Sequence, residues 1–160
     1  MIIVLMGVAG AGKTTIGSLL SQKLGWSFVD ADGLHTTTNI EKMKSGIALT
    51  ESDRGSWLDS ARRVIQKVGK ETNVVFAFPG LTEQHRARVL GNCSHIKIVH
   101  LVGTFELIQK RLKQREDHFF PERLLSSQFD ILEPPANALT INVAASPEDI
   151  VKNIREDLNV

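Results

Sequence analysis

The sequence predicts an α/β protein in which a five-stranded parallel sheet lies between layers of helices. Its length of 160 residues fits one domain, since domains usually have roughly 100–200. Short apolar segments alternate with longer amphipathic ones, which is the pattern of a parallel sheet covered by helices. A glycine-rich segment also lies between the first apolar run and the first amphipathic one. We therefore expect a single domain over residues 1–160, with no linker or internal repeat.

The predicted strands are the short apolar segments. The segment at 74–78 is apolar throughout, as expected for a central strand buried on both faces. The apolar run at the N-terminus is too short, and lacks the preceding positive charge, for a signal peptide, so we interpret it as a buried strand. The five predicted strands are residues 2–6, 27–29, 74–78, 96–102 and 139–143.

The predicted helices are the amphipathic segments between these strands. The last one has a clear start, with Ser146 as N-cap, Pro147 in the first position and two acids in the first turn. Two segments, about 30–53 and 116–135, interrupt the alternation, and we expect them to contain surface loops that bind substrate or move. The six predicted helices are residues 13–24, 39–45, 51–70, 82–90, 104–115 and 147–158.

The composition is that of a soluble globular protein. Hydrophobic residues make up 42% and charged residues 23%, and the formal net charge is +1. This balance argues against attraction to nucleic acid or to a membrane surface by the overall field of the protein. Cys93 is the single cysteine, which excludes an intrachain disulfide and suits a reducing cytosol. We therefore expect a cytoplasmic protein with neither a nucleic-acid nor a membrane partner.

Residues 7–14 match the phosphate-binding pattern G-x-x-x-x-G-K-[ST] in the required context between a strand and a helix. The backbone N–H groups of such a loop point at phosphate oxygens, and the helix N-terminus adds partial positive charge. We expect Lys13 to reach the β- and γ-phosphates of ATP and the Thr14 hydroxyl to bind Mg²⁺. The residues predicted to bind the nucleotide here are Gly7, Gly10, Ala11, Gly12, Lys13, Thr14 and Thr15.

Two acids at the end of the second strand favour a small-molecule kinase over other P-loop classes. The strand at 74–78 ends without the acid of a GTPase or motor ATPase, and no guanine-reading Asn-Lys-x-Asp element occurs. Asp30 and Asp32 would instead lie near the phosphate loop. One carboxylate can hold the water shell of Mg²⁺, and the other can orient an acceptor hydroxyl and take its proton. We assign the metal role, through water, to Asp30 and the base role to Asp32. The alternatives are the reverse assignment of the two acids and two solvated loop acids.

Two further side chains are candidates for acceptor binding. His35 could hydrogen-bond a polar substrate, although a histidine in a polar loop is commonly just solvated. Arg54 could bind a carboxylate through two hydrogen bonds, or it could form a surface ion pair with Asp53 or Glu51. Trp57 is expected in the core.

A cluster of basic residues ends the fifth predicted helix and leads into the second long segment. Lys110, Arg111, Lys113 and Arg115 precede His118 and two phenylalanines. Cations at this place can close over ATP and neutralise charge on the transferring phosphoryl group, which describes a lid. The alternative is favourable placement of cations at a helix C-terminus.

Several motifs together resemble the gluconate kinases of the P-loop type, in order and across nearly the whole chain. The resemblance implies a core like that of shikimate and nucleoside-monophosphate kinases, with a mobile lid at about 116–135. It also implies ATP, Mg²⁺, a homodimer in the cytoplasm, and phosphorylation of a sugar acid, with D-gluconate going to 6-phosphogluconate. We expect a catalytic role for Arg115 and a nucleotide contact for Arg111, and we expect His118 and Gly80 to bind the acceptor. The matching motifs are residues 7–14, Asp30 to His35, Asn39 to Met43 with Ser45-Gly46, Asp53-Arg54 with Trp57-Leu58, Arg111 to Lys113, Arg115 to Phe120, and Ser127 to Phe129 with Leu132 to Pro134.

The chain departs from this family pattern after the central strand. Residues 78–82 read Phe-Pro-Gly-Leu-Thr where the family usually has Cys-Ser-Ala-Leu-Lys, and His85-Arg86 replaces a Tyr-Arg pair. Because the family segment faces the acceptor, Thr82 in place of lysine predicts that gluconate is accepted poorly or that a related acid is preferred. Three alternatives remain open from sequence: another polyhydroxy acid, a shikimate or nucleoside-monophosphate kinase, and a nucleotide-binding regulatory module without turnover.

Overall fold

The computed structural model describes residues 1–115 and 121–160. Within them, five strands form one sheet in the order β2-β3-β1-β4-β5, and every pairing is parallel. All the strands therefore end at the same edge of the sheet, where ligands of such folds bind. The strands are β1 (Ile2–Met6), β2 (Ser27–Asp30), β3 (Val74–Ala77), β4 (Ile96–Val102) and β5 (Leu139–Asn142).

Seven α-helices occur within these described ranges and cover both faces of the sheet, together with a 3-10 turn at Ala31–Leu34. They are α1 (Lys13–Leu24), α2 (Thr37–Lys44), α3 (Glu51–Glu71), α4 (Glu83–Leu90), α5 (Phe105–Lys113), α6 (Glu122–Ile131) and α7 (Pro147–Leu158). The predicted α/β class and parallel sheet are confirmed. All five predicted strands and all six predicted helices are present, with bounds that differ by two residues at most.

The side chains of β1 alternate between two buried clusters on opposite faces of the sheet. Ile3 and Leu5 pack in a cluster with residues of α1, α5 and α7. Ile2 and Val4 pack in the other, with residues of α3 and α4. All four side chains are at most 3% exposed, so β1 is the centre of the core. The phosphate-loop motif follows this strand directly and is thereby anchored to the buried centre of the sheet.

Helix α6 is the element that sequence reasoning missed, and its presence corrects the expectation of a loop over about 116–135. Its N-cap is Pro121, which offers no side-chain hydrogen bond, so the usual start signal is absent. The helix is stabilised instead by burial of its apolar side chains. Leu124 and Leu125 are 5% and 0% exposed, and Phe129 packs against Phe105 with ring centroids 5.5 Å apart. The rest of the predicted lid, residues 116–120, lies outside the described residues.

None of the helices in residues 1–115 and 121–160 combines the length and the apolar character needed to cross a membrane.

Candidate active site

The phosphate-binding loop joins β1 to α1 and needs glycine at particular positions. Gly7, Gly10 and Gly12 have φ angles of +148°, +79° and +94°, which other residues rarely adopt. A Cβ at Gly7 would lie 2.7 Å from the Leu101 carbonyl oxygen, and one at Gly10 would lie 2.8 Å from the Leu112 side chain. The glycines therefore allow both the tight turn and its close packing on β4 and α5.

The loop presents a set of backbone donors at the start of α1. Among the described residues, five N–H groups of the loop and the first turn of α1 have no hydrogen-bond partner. Such groups have no partner within the helix itself, so they and the helix dipole form a site for an anion. The five belong to Gly10, Gly12, Lys13, Thr14 and Thr15.

Lys13 lies inside this loop, and its side chain is buried. Its Nζ donates to the carbonyl oxygens of Gly7 and Val8, each at 3.0 Å. Burial lowers the pKa of Lys13, while the carboxylates of Asp32 and Asp30 oppose that shift. Two carbonyl acceptors and two nearby carboxylates thus hold the ammonium group in place ahead of any anion.

Asp30 ends β2, where it is in register with Ala77 of β3, and this places its carboxylate beside α1. The Thr14 hydroxyl donates to Asp30 Oδ2 at 2.6 Å, and the Asp32 N–H donates to Asp30 Oδ1 at 2.9 Å. A hydroxyl oxygen and a carboxylate in contact are hard oxygen ligands of the kind that Mg²⁺ prefers, so the residues fit this ion.

The 3-10 turn carries Asp32 and leads to His35. Among the described residues, the Asp32 carboxylate makes no hydrogen bond, and it faces the same cavity as Lys13. The His35 ring stacks on Trp57 with centroids 4.2 Å apart, and burial lowers the pKa of His35. Trp57 is 5% exposed and donates to the Ala31 carbonyl at 2.7 Å, so its predicted core position is confirmed. Trp57 thereby fixes both the turn and the His35 ring.

Arg54 lies in the first turn of α3, where it forms an ion pair and lines the cavity, and its contact with a ligand carboxylate stays a prediction. Its Nη1 donates to Glu51 Oε1 at 2.8 Å, which is one of the predicted ion pairs. Arg54 also lines the cavity that contains Asp32 and His35. Glu51 Oε2 lies 3.4 Å from His85 Nε2, so this carboxylate joins Arg54 to α4. The ion pair orients the guanidinium and leaves it facing the cavity.

The motif at Asn39 to Met43 holds α2 against the start of α3. Asn39 is 3% exposed, and its Nδ2 donates to the Asp53 carbonyl at 2.9 Å. Lys42 Nζ pairs with the Asp53 carboxylate at 2.9 Å, and Asp53 completes a capping box with Thr50. These residues fix the helical turn that carries Arg54, so the motif acts by positioning.

Asp53→Asn should lower the free energy of unfolding at neutral pH. It should also make that free energy depend less on pH in the acid range. The hydrogen bond from Lys42, followed by those from Thr50, lowers the pKa of Asp53 from 3.8 to about 2. The stabilisation from Asp53 is thus present above pH ~4 and is lost as the pH falls through about 2. Thermal unfolding should give a lower Tm for the variant at pH 7 and convergent values near pH 2. Asp157→Asn, an exposed acid on α7, should match the wild type at both pH values; an equal loss there would contradict this account.

One cavity of about 640 Å³ at the carboxyl edge of the sheet brings most of the predicted site together. Gly7, Ala11, Thr15 and Arg111 do not line it, and His118 lies outside the described residues. Sequence reasoning missed the cavity residues His85 and Gln128, although Gln128 belongs to the Ser-Gln-Phe motif. The predicted residues that line it are Gly10, Gly12, Lys13, Thr14, Asp30, Asp32, His35, Arg54, Gly80 and Arg115.

Two residues predicted to contact the nucleotide have hydrogen-bond partners within the protein. The Ala11 N–H donates to the Val8 carbonyl at 3.2 Å, which closes the turn and removes this donor from the phosphate site. Arg111 donates to the Val143 carbonyl at 2.6 Å and joins α5 to the segment after β5. The nucleotide contacts expected of Ala11 and Arg111 stay predictions.

Comparison with known proteins identifies the family. The family model for shikimate kinase matches residues 9–158. The chain is 40% identical to a gluconokinase of Arabidopsis thaliana over 97% of its own length and 90% of the relative, and 36% identical to the thermosensitive gluconokinase of Escherichia coli over 97% and 80%. The chain belongs to the gluconokinase family.

Solved structures agree with this family. The crystal structure of a gluconokinase from Sinorhizobium meliloti has a TM-score of 0.83 with 30% identity, covering 98% of this chain and 94% of that one. A sugar kinase from Janibacter has a TM-score of 0.88 with 31% identity, covering 99% and 94%. Shikimate kinase from Aquifex aeolicus, at 22% identity and a TM-score of 0.61 over 99% and 96%, shares the fold.

The segment at 78–82, where this chain departs from the usual gluconokinase pattern, divides between the core and the cavity. Phe78 is fully buried, and the Thr82 hydroxyl accepts from the His85 N–H as the N-cap of α4. Pro79, Gly80 and Leu81 line the cavity. Thr82 therefore caps α4, and the expectation that its replacement of lysine disfavours gluconate stays a prediction.

Proposed function

We propose that this protein transfers the γ-phosphoryl group of ATP to a hydroxyl of D-gluconate and forms 6-phosphogluconate. The observation that carries the proposal is that residues of the phosphate loop line one cavity together with Asp32, His35 and Arg54. Gluconokinase relatives at 36–40% identity over nearly the whole chain support the same acceptor.

The loop side of the cavity is suited to the nucleotide phosphates. The N–H groups at the start of α1 would bind them, and Lys13 and Arg115 would neutralise charge that develops on the transferring group. Thr14 and, through water, Asp30 would hold Mg²⁺, which when bound supplies further neutralisation of the phosphate charge.

Asp32 is the better candidate for the base. Both oxygens of Asp30 accept hydrogen bonds from the protein, one from Thr14 and one from the backbone of Asp32. The Asp32 carboxylate makes none among the described residues and lines the cavity, so it can accept a hydrogen bond from an acceptor hydroxyl and take its proton.

The opposite wall is suited to a polyhydroxy acid. Arg54 offers a planar guanidinium that can hold a carboxylate through two hydrogen bonds. Its partner Glu51 leaves part of the fork available, since only Nη1 is engaged by that carboxylate. His35 and the backbone of Gly80 offer polar groups for hydroxyls.

A coupled assay of ADP release tests the proposal across gluconate, other aldonic acids, shikimate and a nucleoside monophosphate. We expect gluconate to stimulate release most, and ³¹P NMR to place the phosphate on the terminal hydroxyl. A different best acceptor would support one of the alternative kinases. Tight ATP binding with no turnover on any acceptor would establish a regulatory module and refute the proposal.

Arg54→Lys should raise the KM for gluconate ~10-fold or more, because a charge-assisted hydrogen bond contributes ~1.5–3 kcal/mol and lysine lacks the planar fork. The KM for ATP should change little. Steady-state kinetics with gluconate and with its uncharged polyol analogue checks this, and Arg63→Lys, an exposed arginine on α3, is the matched control. Equal effects on both acceptors would argue against a carboxylate contact.

We also propose, from the family resemblance, that the protein is a cytoplasmic homodimer. Light scattering after size exclusion measures the oligomer directly, and a monomer at micromolar concentration would contradict it.

A further inference from the structure

Gln128 connects α6 to the phosphate loop through its side-chain amide. Its Oε1 accepts from the Ala9 N–H at 2.7 Å. An N–H donor requires an oxygen acceptor, so this contact also decides which way round the amide lies. Nε2 therefore carries the two donors that remain, and among the described residues it has no hydrogen-bond partner. Gln128 lines the same cavity as Lys13, Asp32 and Arg115.

The position of this amide is held by contacts along α6 and just beyond it. Leu125 is fully buried one turn earlier, and Phe129 packs on Phe105. After the helix, the Glu133 N–H donates to the Leu81 carbonyl at 2.7 Å, and Glu133 Oε2 accepts from the Glu83 N–H at 2.8 Å. Helix α6 is thus bound to the phosphate loop on one side and to the acceptor side of the cavity on the other.

The loop N–H groups that have no partner are suited to the inner phosphates, which leaves the outermost phosphoryl group for the Gln128 amide. The N–H groups without partners come from Gly10 and from the start of α1, which in this motif cradle the inner phosphates. Ala9 lies before them, and its N–H is used by Gln128 instead. A donor anchored to Ala9 is therefore suited to the outermost phosphoryl group, beside Lys13 and Arg115.

We propose that Gln128 is a catalytic residue whose Nε2 donates a hydrogen bond to the transferring γ-phosphoryl group while Oε1 remains on the Ala9 N–H. The inference rests on the proposed phosphoryl transfer. In that step the acceptor oxygen forms a bond to the γ-phosphorus, the bond from that phosphorus to the β–γ bridging oxygen breaks, ADP leaves, and the hydroxyl proton passes to Asp32. A neutral donor held in advance stabilises the charge on the equatorial oxygens without reorganisation.

Two substitutions separate this role from a purely structural one. Gln128→Met keeps the length and removes both the acceptor and the donor. Gln128→Glu keeps an acceptor for the Ala9 N–H but removes the donor and adds negative charge towards the phosphates. Gln22→Met, at an exposed glutamine on α1, is the matched control.

Calorimetric titrations with Mg²⁺ and either ADP or a nonhydrolysable ATP analogue are the decisive measurement, together with kcat and Tm. We expect Gln128→Met to bind ADP as the wild type does, to bind the ATP analogue several-fold more weakly, and to lose about 10²-fold or more in kcat. Gln128→Glu should lose at least as much kcat with an unchanged Tm, and Gln22→Met should lose nothing.

A structural anchor gives the opposite pattern. Gln128→Met would then lose Tm and affinity for ADP and the ATP analogue alike. That result, or a retained kcat in Gln128→Glu, would overturn the proposal. The ADP and analogue affinities need no acceptor. Failure of gluconate as a substrate would therefore count against the proposed function alone, and the comparison of the two nucleotides would still decide the role of Gln128.

Discussion

Lys13→Ala should reduce phosphoryl transfer by at least about 10³-fold and leave the protein folded. Lys13 is the one cationic side chain of the phosphate loop, and in the proposed reaction its ammonium group would neutralise charge that develops between the β- and γ-phosphates. The fold should survive, because the substitution removes two hydrogen bonds to carbonyls but also removes a charge whose burial is unfavourable. Steady-state kinetics with gluconate and thermal unfolding measure the two effects separately.

The matched control for this experiment is Lys23→Ala, which removes an exposed lysine from the last turn of the same helix. That variant should keep its kcat and both KM values. A near-normal rate for Lys13→Ala would mean that the phosphate site lies elsewhere.

Asp32→Asn should lower kcat by ~10²-fold or more, because asparagine keeps the size of the side chain but cannot take a proton from the acceptor hydroxyl. The affinity for ATP should change little, because Asp30, and not Asp32, contacts Thr14, the other residue proposed to hold Mg²⁺. Rapid-quench measurement of the first turnover, together with nucleotide binding, checks the prediction.

Asp30→Asn provides the comparison, since the two acids are two residues apart and have different partners. Asparagine at 30 should weaken Mg²⁺-dependent nucleotide binding and leave the KM for the acceptor almost unchanged. If Asp32→Asn instead abolishes nucleotide binding and leaves the KM for the acceptor unchanged, the roles of the two acids are exchanged.

Local sequence patterns were sufficient for most of the sheet and its covering helices. The residues of β1 are apolar without interruption because both faces are buried, and α7 begins where Ser146 and Pro147 indicate. The phosphate loop was predictable for the same reason, since its glycines are required by backbone angles that other residues rarely adopt.

Elements stabilised mainly by tertiary contacts were not predictable. Helix α6 has no capping side chain and depends on burial of Leu124 and Leu125. Likewise, the choice between an ion pair and a ligand contact for Arg54 could not be made from sequence, because both depend on where α3 lies relative to the cavity.

The sequence by itself determined the fold class, the phosphate loop and the acids at 30 and 32, because each depends on local backbone geometry or on the order of strands. Only the tertiary structure decided how the contacts of the two acids differ and that Gln128 reaches the loop from 119 residues away. These assignments depend on contacts between segments far apart in the chain. Packing of the helices on the sheet brings such segments together, and no local pattern encodes which side chains then meet.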